Sequence, residues 1–297
     1  MLILTKVAQA DGQFEKALGK KIEWRRFNSG AEVIAALASN SIQIGNLGST
    51  PYAAAVSRKV PLVAFIVSTQ INSAEALVVR NGSGINKPED LKNKTIATPF
   101  VSTAHYSLSG ALKHWKIASN EINIINLNPA EIIAAWHRGD IDGAFVWAPA
   151  LGEIKKTGKV LTDAGQTAQW GFPTFEVWVA RKDYANQHPE ILTKYSQVIL
   201  NSFADYAQDP QRYTAKSPEV SKIARLVGAD PQSVPELLAG CKYPTKNDQL
   251  SSNFLNGGMA EATRTTAQFL FEQKRISGVL SDYNQYFSAN YVELAKE

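Results

Sequence analysis

The sequence predicts an α/β protein of two lobes with a helical C-terminal region. Short β-like runs alternate with helical patterns up to about residue 189, and helical patterns alone follow. Repeated strand–helix–strand units imply parallel sheet, whose crossovers are right-handed. The chain has 297 residues, which suggests about two domains.

In order along the chain, "KIEWRRF" (21–27) alternates as a strand does. "SGAEVIAALASN" follows, with Val33, Ile34 and Leu37 on one helical face. "IQIGNL" (42–47) reads as a strand leading into "GSTPYAAAVSR", a helix opening at Ser49 and Thr50. Pro51 is tolerated at the first helical position because its missing N–H would be unbonded there. "LVAFIVST" (62–69) and "EALVVR" (75–80) are strands, and "KPEDLKNK" is a turn-helix connector. "TIATPF" (95–100) is a strand before the helix "VSTAHYSLSGALKHWKI". "EINIINL" (121–127), "PAEIIAAWHRGD" (129–140) and "IDGAFVW" (141–147) repeat strand, helix, strand, and "EVWVARKD" (176–183) is again strand-like. Beyond it, "PEILTKYSQVILNSFADYAQDP", "EVSKIARLVGA", "PQSVPELLAG" and "MAEATRTTAQFLFEQKR" are helical, with Pro or Gly between them.

Composition narrows the function classes. Hydrophobic residues make up 44% and charged residues 20%, as in ordinary globular chains. The net charge of +4 comes with no basic block, so nucleic acid is not the partner. A single cysteine, Cys241, excludes an intrachain disulfide and a thiolate metal site, and reads as a buried, inert thiol. No apolar run approaches the ~20 residues of a membrane helix. "MLIL" is too short for a signal h-region. Composition leaves open a cytoplasmic protein or a trimmed mature chain behind an added Met.

Two segments share one design: strand, small-residue loop with paired hydroxyls, helix. They are "IGNLGSTP" (44–51) and "ATPFVSTAHYS" (97–107). Unpaired N–H groups and the positive end of the helix dipole make a helix start an anion site, to which hydroxyls add donors. In open α/β sheets, ligands gather at the carboxyl ends of strands, where both loops would sit. Either hydroxyl could instead be an ordinary N-cap. A nucleophile reading of Ser102 or Thr103 with His105 lacks an orienting acid and a G-x-S-x-G elbow. His114, His137 and His188 form no metal-binding spacing, and neither GxGxxG nor a P-loop occurs. No cofactor is implied. Asp140 and Asp142 sit beside glycine as turn residues. Trp147, at a strand's carboxyl end, either walls a ligand from water or packs in the core. Glu176 lies inside an otherwise apolar strand, where a carboxylate needs a basic side chain or a ligand ammonium.

The segments "WRRFNSGAEVIAALASNSIQIGNLGSTP", "KPEDLKNKTIATPFVSTAHYSLSGALKHW", "IIAAWHRGDIDGAFVWAPAL" and "PTFEVWVARKDYANQHPEI" resemble the taurine-binding solute-binding proteins of bacterial ABC importers. The likeness runs from about Lys6 to the C-terminus and weakens after residue 210. It implies a periplasmic binding protein of type II, with two α/β lobes closing on a ligand in the cleft between them. Crossovers would fall near 72–79 and 176–183, giving residues 1–75 and 180–297 to one lobe and 76–179 to the other. It also implies a monomer in the periplasm that serves a membrane ABC permease. Carried over, Ser49, Thr50, Ser102 and Thr103 would bind the sulfonate of taurine or a related small sulfonate. Trp147 would line the pocket and Glu176 would face the amine.

Two departures bear on this. The taurine-binding relatives carry Asp at the position of Glu176, one methylene shorter. They also begin with a full strand and a loop ending in Glu-Pro, where this chain has only "MLILT"; the expectation is a first lobe short of one strand, with reduced stability and weaker binding. The alternatives are a receptor for another aliphatic sulfonate or small oxyanion, an enzyme on the same scaffold, or a sensing domain needing an attached helix-turn-helix.

Overall fold

The computed structural model describes residues 3–296. The stretch "MLILT" begins with Met1 and Leu2, which lie outside the described residues. Nine strands form two sheets, and the chain passes between them twice. The first sheet contains β1 (Ile44–Gly48), β2 (Leu62–Ile71), β8 (Phe175–Arg181) and β9 (Cys241–Lys242), in the order β1-β8-β2-β9. The second contains β3 (Glu75–Arg80), β4 (Thr95–Thr98), β5 (Asn123–Asn126), β6 (Gly143–Trp147) and β7 (Gly158–Asp163), in the order β5-β4-β6-β3-β7. Residues 72–74 carry the chain out of the first sheet, and residues 164–174 return it.

The expected all-parallel pairing holds only for β5-β4-β6. Each pairing within the first sheet is antiparallel, and β3 is antiparallel to both β6 and β7. The reason is long-range. Strand β8 enters the first sheet between β1 and β2 from far along the chain, and local strand–helix–strand patterning carries no sign of such an insertion. The segment expected as a crossover at 176–183 is thus mostly β8, inside the first sheet, while β3 lies inside the second.

The strand expected at 21–27 does not form. The segment is extended and alternates faces, with Ile22 and Trp24 half-buried, but no strand pairs with it. Trp24 satisfies its inward side through Phe14, at 5.4 Å between centroids, and its indole N–H donates to Glu15 at 2.8 Å. Alternation here records packing and not pairing. Elements that the pattern left unassigned are the helices Ala150–Lys155 and Ala164–Gln169, with β7 and β9.

The remaining helices start where local chemistry favours them. Ser29 caps Gly30–Ala38, its hydroxyl accepting from the Glu32 N–H, while the Glu32 carboxylate accepts from the Asn28 N–H. Asn128 caps Pro129–Arg138 with a full capping box through Glu131. The long helices Pro189–Gln208 and Gly258–Glu272 join β1, β2 and β8 in one apolar core. Residues of the second sheet and its flanking helices form two further clusters, one on each face, as expected for a sheet covered on both sides. No helix among the described residues is long and apolar enough to cross a membrane.

Candidate functional site

Strand β1 ends at Gly48 and the helix Ser49–Ser57 begins at once, so the backbone N–H groups of Ser49 and Thr50 have no acceptor inside the helix. Pro51 is the third helical residue and not the first; its missing N–H is still one that the helix could not use. Both hydroxyls are buried. Ser49 Oγ receives only a long hydrogen bond from the Phe175 N–H at 3.5 Å, and Thr50 Oγ1 has no partner. Buried hydroxyls are normally bonded, so this helix start has spare donors.

The second loop is built differently. Strand β4 leads through residues 99–102 into the helix Thr103–His114. Val101 has φ 58°, a left-handed conformation that is an outlier for a β-branched residue. Its side chain packs against the core of the first lobe. Ser102 is the N-cap: its hydroxyl donates to the Pro99 carbonyl at 2.5 Å and accepts from the His105 N–H at 3.1 Å. Thr103 donates its hydroxyl proton to Glu75 Oε1 at 2.7 Å. Neither hydroxyl therefore has a proton to spare, and this helix start offers the backbone N–H groups of Thr103 and Ala104.

His105 lies one turn in, stacked on Phe100 at 4.7 Å between ring centroids and edge-on to Phe269 at 5.5 Å. Burial, helped by the Arg275 charge, pushes its pKa down to about 4. It is a neutral packing residue that joins the second lobe to the helix Gly258–Glu272 of the first.

The two helix starts meet. A Cβ placed on Gly48 would lie 2.9 Å from Thr103 Cγ2, so the loops after β1 and β4 touch across the cleft. Glu176 pairs directly with Gly48 on β1 and with Thr69 on β2, which puts all three on one face of the first sheet. Glu75 pairs directly with Trp147 on β6, which puts these two on one face of the second. Thr69, Glu75 and Trp147 line a cavity of about 10 Å³ together with Ile71, Ala74 and Cys241. The structure thus brings together Ser49, Thr50, Thr103 and Glu176 around one cleft, with Trp147 at its wall and Ser102 as the cap of the facing helix.

Sequence reasoning missed Glu75, Thr69 and Cys241. Glu75 opens the apolar run "EALVVR", the same signal of a carboxylate among apolar strand residues that marked Glu176. Burial pushes the Glu75 carboxyl above its ordinary range, against the opposing pull of the Thr103 hydrogen bond. Burial likewise pushes the Cys241 thiol up to about 11, so it is protonated at neutral pH. Asp140 and Asp142 do turn work: Asp142 accepts from the Thr95 N–H at 2.9 Å, and Asp140 pairs with Arg138 at 2.7 Å. Among the described residues no group of three or more His, Cys, Asp or Glu is placed to hold a metal. A larger cavity of about 320 Å³ lies among Leu4, Val7, Asp205 and Tyr213 and shares no residue with the cleft. Its charges are paired, Lys222 with Asp11 and Arg212 with Asp205 and Glu219.

Comparison with known proteins agrees with this geometry. The family described as the substrate binding domain of ABC-type glycine betaine transport system matches residues 4–232. The taurine-binding periplasmic protein of Escherichia coli (strain K12) is 47% identical over 288 residues, covering 97% of this chain and 89% of that protein. The periplasmic aliphatic sulphonate binding protein SsuA from Escherichia coli has the same fold, with a TM-score of 0.79 at 22% identity over 98% of this chain and 95% of that one. The alkanesulfonate-binding protein SsuA from Xanthomonas axonopodis pv. citri, bound to MOPS, gives 0.77 at 21% identity, over 96% and 93%. The fold also carries an enzyme: the desulfurization enzyme DSZB matches with a TM-score of 0.66 at 13% identity, over 98% and 95%. The chain belongs to the family of substrate-binding proteins of ABC-type transport systems, together with the E. coli taurine-binding periplasmic protein.

Proposed function

We propose that this protein is the periplasmic receptor that captures taurine, 2-aminoethanesulfonate, and delivers it to a membrane ABC permease. The single observation that carries this reading is the meeting of two helix N-termini at Gly48 and Thr103, beside the buried carboxylate of Glu176. A sulfonate is ionised at every physiological pH. Ser49 and Thr50, through hydroxyls and N–H groups, and Ser102 and Thr103, at the facing helix start, bind it without a buried Lys or Arg. Glu176 takes the ammonium and Trp147 closes the wall. The lobes follow the sheets: residues 1–75 with the C-terminal part from about 180 form one, and 76–179 the other, with β8 counted in the first. They hinge at 72–74 and 164–174. The receptor acts as a monomer.

Binding without turnover follows from the same residues. Cys241 is a protonated thiol and His105 a buried packing ring, so no activated nucleophile or poised base stands in the cleft. A second reading is favoured by Glu176 itself, one methylene longer than the Asp of the taurine-binding relatives: the ligand is an aliphatic sulfonate with a different amine spacing. Calorimetric titration with taurine, longer aminoalkyl sulfonates, unsubstituted sulfonates, sulfate and nitrate tests both. Taurine binding tightest supports the first reading, a longer aminosulfonate binding tightest supports the second, and binding of none rejects the receptor.

A further inference from the structure

We propose that Glu75 is a second carboxylate of the ammonium subsite, and that the Thr103 hydroxyl positions Glu75 instead of binding the anion. The inference rests on the aminosulfonate-receptor reading and deepens it. Glu75 is 3% exposed, at the first position of β3. Its Oε1 accepts from Thr103 at 2.7 Å, while Oε2 makes no hydrogen bond. A buried carboxylate with one orphaned oxygen is costly unless a cation or donor reaches it.

The surroundings define that cation. No Lys, Arg or His lines the cavity beside Glu75, so no side chain there supplies the charge. The cavity of about 10 Å³ is the room a water-sized group needs, and an ammonium is such a group. Thr69 Oγ1, buried and without a partner, lines the same cavity and stands directly opposite Glu176 in the β2–β8 register. Three acceptors therefore converge, from Glu75, Glu176 and Thr69, and an ammonium has three protons to donate. The indole of Trp147, opposite Glu75, excludes water from that end.

Thr103 follows by elimination. A hydroxyl has one proton, and that of Thr103 points at Glu75. Its contribution to the anion is the backbone N–H, and its side chain fixes the rotamer of a carboxylate in the amine subsite. Anion end and amine end of the ligand are thus coupled through one residue.

The test compares wild type, Glu75→Gln and Thr103→Val against taurine and ethanesulfonate, which lacks the amine, by calorimetry. The proposal predicts that Glu75→Gln weakens taurine by about 30-fold or more while ethanesulfonate binds no more weakly than to wild type. Thr103→Val should weaken taurine by about 5-fold and leave ethanesulfonate unchanged. A Glu75→Gln protein that keeps taurine affinity within about 2-fold overturns the proposal, as does an equal loss for both ligands. An equal loss for both ligands in Thr103→Val returns its hydroxyl to the anion and overturns the second half. Thermal melts confirm folding; if Glu75→Gln does not fold, the ligand selectivity of Thr103→Val decides alone. If wild type binds both ligands equally, the amine subsite falls and the sulfonate receptor stands. If wild type binds neither, both fall together.

Discussion

Gly48 and Thr103, on opposite lobes, approach so closely that a single added Cβ on Gly48 would stand 2.9 Å from Thr103 Cγ2. The glycine has φ −66°, a conformation open to any residue, so what it provides is the close approach and not the backbone freedom. Thr103 cannot easily yield. It is β-branched and its hydroxyl is fixed by Glu75. Opening the lobes removes the clash, so Gly48→Ala should act on closure alone. We expect a taurine Kd raised about 10-fold, with the ligand-free melting temperature within about 2 °C of wild type. A large loss of ligand-free stability would show that the contact belongs to folding.

The two hydroxyl loops should respond differently to truncation. Ser102 is an engaged N-cap, so Ser102→Ala should lower stability by about 1 kcal/mol and change affinity little. Thr50 has a buried hydroxyl with no partner, so Thr50→Val should leave stability unchanged or raise it and weaken taurine about 10-fold. Chemical denaturation and calorimetry on the same two proteins separate the roles, and a reversed pattern would reassign the cradle.

His105 ties ligand-free stability to pH. Its pKa is about 4 in the folded protein against 6.5 in an unfolded chain, so below pH 6.5 the unfolded state binds a proton that the native state refuses. Stability is therefore lost as pH falls from 6.5 towards 4, by up to about 3 kcal/mol from this one group. His105→Gln should flatten that part of the stability curve. The charge facing it is Arg275, and the rings of Phe100 and Phe269 supply the burial. Parallel curves for the two proteins would place the acid sensitivity elsewhere.

Cys241 should be inert. With a thiol pKa of about 11 it holds almost no thiolate at pH 8, and a disulfide reagent should label it at least about 100-fold more slowly in the native protein than in denaturant. Saturating taurine should slow labelling further, because Cys241 lines the cavity with Glu75. Fast native labelling would reopen a catalytic role.

What the sequence disclosed and what it withheld divide along contact range. Helix starts are local events, so Ser49, Thr50, Ser102 and Thr103 were legible from spacing and capping chemistry alone. The division of labour between them was not, because it depends on Glu75 and Pro99 taking the second pair's protons. Glu75 carried the same signal as Glu176, a lone carboxylate among apolar strand residues, yet its role exists only where β3 meets the end of β2 across the cleft. The antiparallel seat of β8 between β1 and β2 is likewise a pairing between distant segments. The extended 21–27 segment misled in the opposite direction, since alternation reports two unlike faces whether or not a neighbouring strand exists.

The most direct measurement is a crystal structure of the protein with taurine. The account predicts sulfonate oxygens about 2.7–3.2 Å from Ser49, Thr50 and the N–H groups that open the helix Thr103–His114, and the nitrogen within the same distance of Glu176 and Glu75. Taurine lying elsewhere, such as in the larger cavity beside Tyr213, or reversed with its sulfonate against the two carboxylates, would contradict it.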